Sequence, residues 1–115
     1  MKTYYLALDL HYDEKRIAEY EAYHENVSKE IIESITSSGI TNMRLYRTGN
    51  RLFMIIDASD EFSFEEKSKM DASNPAVQVW ETLMGSYQKK LPWSKPDEKW
   101  VLMNEIFNLQ QQLKQ

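Results

Sequence analysis

The sequence predicts an α+β fold with the element order β-α-β-β-α-β, and three observations carry this prediction. Residues 3–10 alternate between two faces, the pattern of a β-strand. Residues 40–46 and 52–58 are two further strand patterns, joined by a short loop that contains Gly49, as in a hairpin. Helical patterns precede and follow this hairpin. The order is that of the ferredoxin-like split unit, an antiparallel four-stranded sheet with helices on one face.

Size and composition predict one domain and exclude several functions. A chain of 115 residues forms a single domain; we place it at residues 1–109 and expect residues 110–115 to be a polar tail. The net charge of −4 and the scattered basic residues argue against nucleic acid as a partner. The absence of cysteine excludes disulfides and thiolate chemistry.

Targeting signals and cofactor motifs are also missing from the sequence. No apolar run reaches the ~18–20 residues of a membrane-spanning helix, and the first residues do not resemble a signal peptide. We therefore expect a cytoplasmic protein that does not act on a membrane. With three glycines and two histidines, neither a phosphate-binding loop nor a metal motif can be recognised, so we expect no cofactor and no metal.

A long helical pattern over residues 13–38 organises the chain. Asp13 is a suitable N-cap, and Gly39 follows the pattern as a left-handed C-terminal residue would. One stripe of the helix is apolar and the opposite face is charged. The stripe consists of Ile17, Val27, Ile31 and Ile35. We expect this stripe to pack on the sheet.

A histidine lies in the middle of the apolar stripe. Tyr20 and His24, four residues apart, both project from this face. A buried imidazole needs hydrogen-bond partners, because an unpaired polar group in a core costs about 1–3 kcal/mol. Two interpretations stay open. His24 is either a core residue bonded to a backbone carbonyl, or a general acid or base, since histidine titrates nearest to neutral pH.

Capping residues and a proline set the boundaries in the second half of the chain. Ser63 and Glu66 have capping-box spacing, which indicates a helix start. Residues 73–75 interrupt this helix, and Pro75 fits the first turn of another. We expect this second helix to begin at Pro75 and to continue over residues 76–88.

The sheet is predicted to carry apolar side chains on both faces. After an irregular segment at 91–99, residues 100–109 form the expected fourth strand. Tyr5, Ala7 and Met43 are assigned to the face away from the helices. A chain of this size rarely leaves such a face exposed to water. We therefore expect a homodimer in which two sheets pack face to face as a dimeric α/β barrel.

Two further residues are candidates for a site. Trp80, on the second helix, either fills the core or offers a flat apolar wall on which the C–H face of a sugar stacks. Glu105, on the expected fourth strand, either orients an imidazole in a possible supporting role or points into solvent.

Five landmarks, in their order and spacing, make the chain similar to a known family over nearly its whole length. They are Tyr20-Glu-Ala-Tyr-His24, Gly39-Ile-Thr-Asn42, Asn50-Arg-Leu-Phe53-Met, Gln78-Val-Trp80 and Glu105-Ile-Phe107-Asn-Leu109. Together they resemble the L-rhamnose mutarotase family, and most of all its L-fucose mutarotase-like branch. The resemblance implies a cofactor-free isomerase of carbohydrate metabolism that interconverts the α and β anomers of a 6-deoxyhexose monosaccharide such as L-rhamnose or L-fucose.

The resemblance also implies roles for individual residues. The family's catalytic histidine falls on His24, its substrate-binding tyrosine on Tyr20, and the first of its paired tryptophans on Trp80. The second tryptophan falls on Glu81 and a family tyrosine on Met43, so those two roles do not carry over.

Three other departures from the family pattern keep alternatives open. A Trp-Pro pair of the family falls on Ser28 and Lys29, and an aromatic residue of the close branch falls on Gly85. One alternative is a non-catalytic dimeric α/β-barrel domain that binds a sugar or another partner. Another is a cofactor-free oxygenase or decarboxylase of the same architecture.

Overall fold

The structure, a computed structural model of the chain, describes residues 1–114. Strands and helices alternate broadly as the sequence predicts. In chain order they are β1 (Lys2–Leu10), α1 (Glu14–Tyr23), α2 (Lys29–Thr36), β2 (Ile40–Thr48), β3 (Arg51–Ala58), α3 (Phe64–Ala72), α4 (Pro75–Gly85), β4 (Gln88–Lys89), β5 (Val101–Leu102) and α5 (Leu109–Leu113). Within the described residues, no helix is both long and apolar enough to cross a membrane.

The strands form one antiparallel sheet in the order β2-β3-β1-β4, and β5 also pairs with β1. β1 and β3 pair along their length, from Lys2 opposite Ala58 to Asp9 opposite Arg51. The β2–β3 hairpin turns at Gly49, whose φ of 55° suits glycine. The predicted α+β, ferredoxin-like fold class is thereby confirmed.

The prediction of a fourth strand over residues 100–109 is wrong in its extent. Two short strands share the position beside β1, with β4 opposite Asp9 and Leu10 and β5 opposite Leu6 and Ala7. Residues 103–108 continue without regular structure. A pattern of alternating residues forms a strand only where backbone hydrogen bonds join it to a neighbour. Here the Met103 N–H still bonds to the Tyr5 carbonyl at 2.8 Å, and within residues 1–114 no strand pairing continues beyond it. Residues 109–113, partly assigned to the polar tail, form the short helix α5.

The prediction of one helix over residues 13–38 is also wrong, because the helix breaks at residues 24–28. Asp13 caps α1 as predicted, accepting hydrogen bonds from the backbone N–H groups of Lys15 and Arg16. α1 then ends at Tyr23 with His24 as its C-cap, and Ser28 is extended at the N-cap of α2. Asparagine and serine favour caps over helix interiors, which explains the break in this Asn- and Ser-containing segment.

The remaining helix boundaries are close to prediction. Ser63 caps α3 by accepting a hydrogen bond from the backbone N–H of Glu66. Pro75 is the first residue of α4, and Gly39 adopts a φ of 103° after α2. The second predicted helix ends at Gly85 rather than at Gln88, which belongs to β4.

The core lies between the sheet and the helices, in two clusters of buried residues. Leu6, Ile40, Ile56, Ala58 and Phe62 form one cluster, and Leu10, Ile17, Tyr20, Leu52 and Met84 form the other. Trp100 packs against both clusters. The assignment of Met43 to the opposite face is wrong, because Met43 lies opposite Ile56 and packs against the first cluster. Strand alternation alone does not say which of two apolar faces the helices cover.

Candidate active site

A cavity of about 570 Å³ lies between the sheet and helices α1, α2 and α4. Its volume is within the range of ~300–1,000 Å³ usual for small-molecule sites. Its wall is mostly apolar, with a few polar groups. The lining residues are Tyr20, His24, Val27, Ile31, Ile32, Ile35, Thr36, Ile40, Thr41, Asn42, Met43, Leu45, Met54, Trp80, Gln88 and Trp100. Three residues predicted for the site, Tyr20, His24 and Trp80, are therefore brought together.

His24 borders the cavity at the end of α1, and both interpretations of this residue find support. Its Nδ1 lies 2.8 Å from the backbone carbonyl oxygen of Tyr20. A carbonyl only accepts hydrogen bonds, so Nδ1 carries a proton and donates it. Within residues 1–114, no protein group is hydrogen-bonded to Nε2, which leaves this nitrogen able to exchange a proton with a ligand.

Tyr20 lies one helical turn before His24, and its ring centroid is 4.6 Å from that of the imidazole. The side chain is 2% exposed, and its hydroxyl oxygen accepts a hydrogen bond from Nε2 of Gln88 at 3.0 Å. Burial raises the pKa of Tyr20, and the Gln88 hydrogen bond, which lowers that pKa, is the smaller effect. The phenol is therefore neutral at physiological pH and keeps its O–H.

Trp80 forms the apolar wall beside the imidazole. It projects from α4, and its ring centroid lies 5.4 Å from that of His24 at an interplanar angle of 71°. The imidazole thus lies against the ring of Tyr20 on its own helix and makes an edge-to-face contact with the indole on α4. This combination of a proton-exchanging nitrogen and a flat apolar surface suits a ligand with both hydroxyl groups and C–H faces.

The candidate Glu105 and the surface residue Trp93 lie outside the cavity, whereas Trp100 borders it. Glu105 is exposed in the irregular segment 103–108 and accepts a hydrogen bond from the side chain of Asn108 at 3.1 Å. It does not line the cavity or contact His24, so the chain by itself gives Glu105 no supporting role there. Trp93 is 62% exposed, and the guanidinium carbon of Arg51 lies 5.5 Å from the centroid of its indole ring. Trp100 closes part of the wall.

Two lining residues were missed or misplaced by the sequence analysis. Gln88 was assigned to the end of a helix, whereas in β4 it projects beside Tyr20. Met43 was assigned to the open face of the sheet, whereas it lines the cavity. Gly85 was a signal that the helix ends before Gln88, since glycine favours helix ends.

A family model and a curated relative agree on one family. A family model described as L-rhamnose mutarotase matches residues 3–109. An L-fucose mutarotase of Xanthomonas campestris pv. campestris is 39% identical over 104 residues, which are 89% of this chain and 83% of that protein.

Solved structures share the fold at lower sequence identity. An L-rhamnose mutarotase of Formosa agariphila is similar with a TM-score of 0.68 at 17% identity, over 94% of this chain and 98% of the other. A dimeric ferredoxin-like protein from an uncultured marine organism has a TM-score of 0.55 at 9% identity, over 92% and 90% of the two chains. At these identities the structural likeness concerns the fold alone.

Proposed function

The chain belongs to the L-rhamnose mutarotase family, and from this premise we propose that it interconverts the α and β anomers of a 6-deoxyhexose such as L-rhamnose or L-fucose. The family is one of isomerases that act on carbohydrates, as the resemblance in the sequence implied. One observation carries the finer proposal: His24, Tyr20 and Trp80 line a single cavity large enough for a monosaccharide.

The proposed reaction opens and recloses the pyranose ring by proton transfer. In the protonated imidazole, Nε2–H of His24 gives its proton to the ring oxygen, while the proton of the C1 hydroxyl passes to water. The bond between C1 and the ring oxygen breaks, leaving an aldehyde and a new hydroxyl. Rotation about C1–C2 presents the other carbonyl face. Closure returns the proton to Nε2, and water reprotonates the C1 oxygen.

The geometry of His24 suits a proton carrier that works in both directions. The Tyr20 carbonyl holds the proton on Nδ1, so that each transfer uses the same nitrogen, Nε2. General acid–base catalysis by a positioned side chain contributes ~10²–10⁴-fold. Tyr20 supplies a neutral O–H donor to a sugar oxygen, and Trp80 supplies the wall on which the ring lies. No step in this scheme requires a metal or a cofactor.

The test is exchange NMR of the anomeric protons with L-fucose, L-rhamnose and D-glucose. We expect the protein to accelerate exchange of at least one 6-deoxyhexose, and His24→Ala to abolish the acceleration. His11→Ala is the matched control, because His11 is an exposed loop residue away from the cavity. Binding of a sugar without faster exchange would favour the non-catalytic binding domain instead. Turnover of an aromatic compound, with no sugar bound, would favour the oxygenase.

The assembly that we propose is a homodimer formed through the open face of the sheet. Tyr5 and Tyr46 are exposed on this face, next to the partly buried Ile55 and Phe53 to which they are paired. The chain exposes 8179 Å², whereas a folded monomer of this mass exposes about 6,600 Å². The excess of about 1,600 Å² is roughly twice the ~800 Å² that each partner buries in a standard interface, and it falls in the range of the larger interfaces of obligate homodimers. A cytoplasmic location remains a prediction.

A further inference from the structure

A side-chain amide contacts Tyr20 from β4. Gln88 lies opposite Leu10 of β1, and its Nε2 donates a hydrogen bond to the Tyr20 hydroxyl oxygen at 3.0 Å. Its Oε1 is buried and, in the part of the chain that the structure describes, has no hydrogen-bond partner. Gln88 also lines the cavity. The NH₂ group of this amide is therefore hydrogen-bonded, whereas its carbonyl oxygen is not.

The direction of the hydrogen bond decides what the phenol can do. A tyrosine hydroxyl has one hydrogen to donate and an oxygen that accepts. The Gln88 N–H occupies an acceptor position of that oxygen, so the phenol's own hydrogen stays available. Over residues 1–114, Tyr20 donates this hydrogen to no protein acceptor. The O–H is thus left to donate to a ligand in the cavity.

Because Oε1 has no hydrogen-bond partner, packing alone does not account for a glutamine at position 88. A buried acceptor without a partner costs about 1–3 kcal/mol, and an apolar side chain of similar size would avoid that cost. Satisfied polar groups are the rule in protein interiors, so an exception calls for an explanation. The donor that Gln88 presents to Tyr20 is the explanation that the contacts support.

We propose that Gln88 is a positioning residue, which holds the Tyr20 hydroxyl as a hydrogen-bond donor to an oxygen atom of the bound sugar. This inference rests on the proposed function and deepens it, because it assigns the polarity of one contact in the site. Gln88 acts through Tyr20 and does not itself exchange protons. The substrate class that it favours is one with a ring or hydroxyl oxygen placed to accept from the phenol.

The first test replaces Gln88 by leucine, alone and together with Tyr20→Phe. Anomer exchange and the binding of a 1-deoxy sugar, which cannot open its ring, are both measured by NMR. We expect Gln88→Leu to weaken binding by about 2- to 10-fold, the value of one hydrogen bond. In the Tyr20→Phe background, the same change should have no further effect, because residues that act through one another are not additive. Lys89→Leu, the exposed neighbour on β4, is the control.

The second test is Gln88→Glu, whose effect depends on its protonation. A protonated carboxyl donates to the phenol as the amide does, whereas a carboxylate accepts the phenol's hydrogen and withdraws it from the sugar. We expect the rate relative to the unsubstituted protein to fall by roughly tenfold or more as the carboxyl loses its proton between about pH 5 and pH 8, because burial raises the pKa of a carboxyl above its ordinary value. Gln88→Leu should show a pH-independent ratio.

The outcomes separate this inference from the proposed function. The inference is overturned if the losses of sugar affinity caused by Gln88→Leu and by Tyr20→Phe are independent, so that the double variant shows the product of the two. It is also overturned if Gln88→Glu and Gln88→Leu have the same pH profile. Either result leaves the proposed mutarotase activity standing. A loss of thermal stability with unchanged sugar binding would likewise overturn the inference alone. If the unsubstituted protein neither binds a sugar nor accelerates exchange, the proposed function is wrong and the inference is overturned with it.

Discussion

The backbone carbonyl of Tyr20 accepts a hydrogen bond from the imidazole of His24, with 2.8 Å between the oxygen and Nδ1. In a continuing helix this carbonyl would accept the backbone N–H of His24. Here that N–H bonds instead to the carbonyl oxygens of Glu21 and Ala22, since α1 ends. The side chain of His24 therefore caps the carbonyl that its own backbone leaves free. The end of α1 thus frees the carbonyl that fixes the proton of the imidazole on Nδ1.

We predict that His24→Asn separates binding from catalysis. The asparagine Nδ2 can reproduce the Nδ1 hydrogen bond to the Tyr20 carbonyl, but the group that exchanges protons is gone. Exchange should fall by ~10²–10⁴-fold, the usual contribution of general acid–base catalysis, while sugar affinity changes little. Anomer-exchange NMR and a binding titration on the same sample check this. Residual catalysis within a few fold of the original rate would refute the role of Nε2.

The contribution of the Tyr20 hydroxyl to the exchange rate is predicted to be independent of pH through the neutral range. Burial raises the pKa of Tyr20, so the phenol stays protonated through the neutral range. Tyr20→Phe should lower the exchange rate by the same factor at every pH between about 5 and 9. A pH profile of the rate for both proteins checks this. A ratio that changes across this interval would mean that the phenol itself titrates there.

The same pKa shift predicts how stability depends on alkaline pH. The pKa of Tyr20 is higher in the folded chain than in the unfolded chain, so loss of the phenol proton favours unfolding. The stability that this group contributes is present below the unfolded value of about 10 and is lost as the pH rises through the folded value. The thermal unfolding temperature should therefore fall more steeply between pH 8 and 11 for the unsubstituted protein than for Tyr20→Phe.

Trp80 should contribute to sugar affinity through its flat surface. Replacement by leucine keeps the wall apolar but removes the ring, which costs roughly 0.5–1.5 kcal/mol in aromatic contacts of this kind. We expect a 2- to 10-fold loss of sugar affinity, an effect of about that free energy. Trp93→Leu is the matched control, since Trp93 is on the surface over Arg51 and outside the cavity wall. Equal losses in both variants would argue against a specific wall.

Much of this site could be predicted from the sequence, because its residues lie on regular elements. Tyr20 and His24 are one turn apart on a helix, and helical periodicity directs both to the core. The break at residues 24–28 was missed because Ile31 and Ile35 continue to face the core after it, so the apolar spacing hides the interruption. Gln88 was missed because its position depends on where α4 ends, and helix ends are the least certain feature of a sequence pattern.

The C-terminal segment could not be predicted from the single chain for a different reason. Its alternating apolar residues indicate a strand, yet within the described residues the strand beside β1 is limited to Val101–Leu102, with one further backbone hydrogen bond from Met103 to Tyr5. Pairing is a long-range property, which depends on an available edge and on what else covers the segment. Ile106 is 96% exposed in the single chain, an exposure that a second copy covering this segment would remove.

We predict that Ile106→Glu dissociates the proposed dimer without unfolding the chain. In the single chain Ile106 makes few contacts, so a charge there costs the monomer little. If a second copy covers this segment, the glutamate would be buried in an apolar interface, where an unpaired charge is costly. Light scattering after size-exclusion chromatography should show the monomer for Ile106→Glu and the dimer for Val79→Glu, the control, because Val79 is 72% exposed on α4, away from the open face of the sheet. A monomeric unsubstituted protein would contradict the dimer, and a dimeric Ile106→Glu protein would show that the segment at residues 103–108 lies outside the interface.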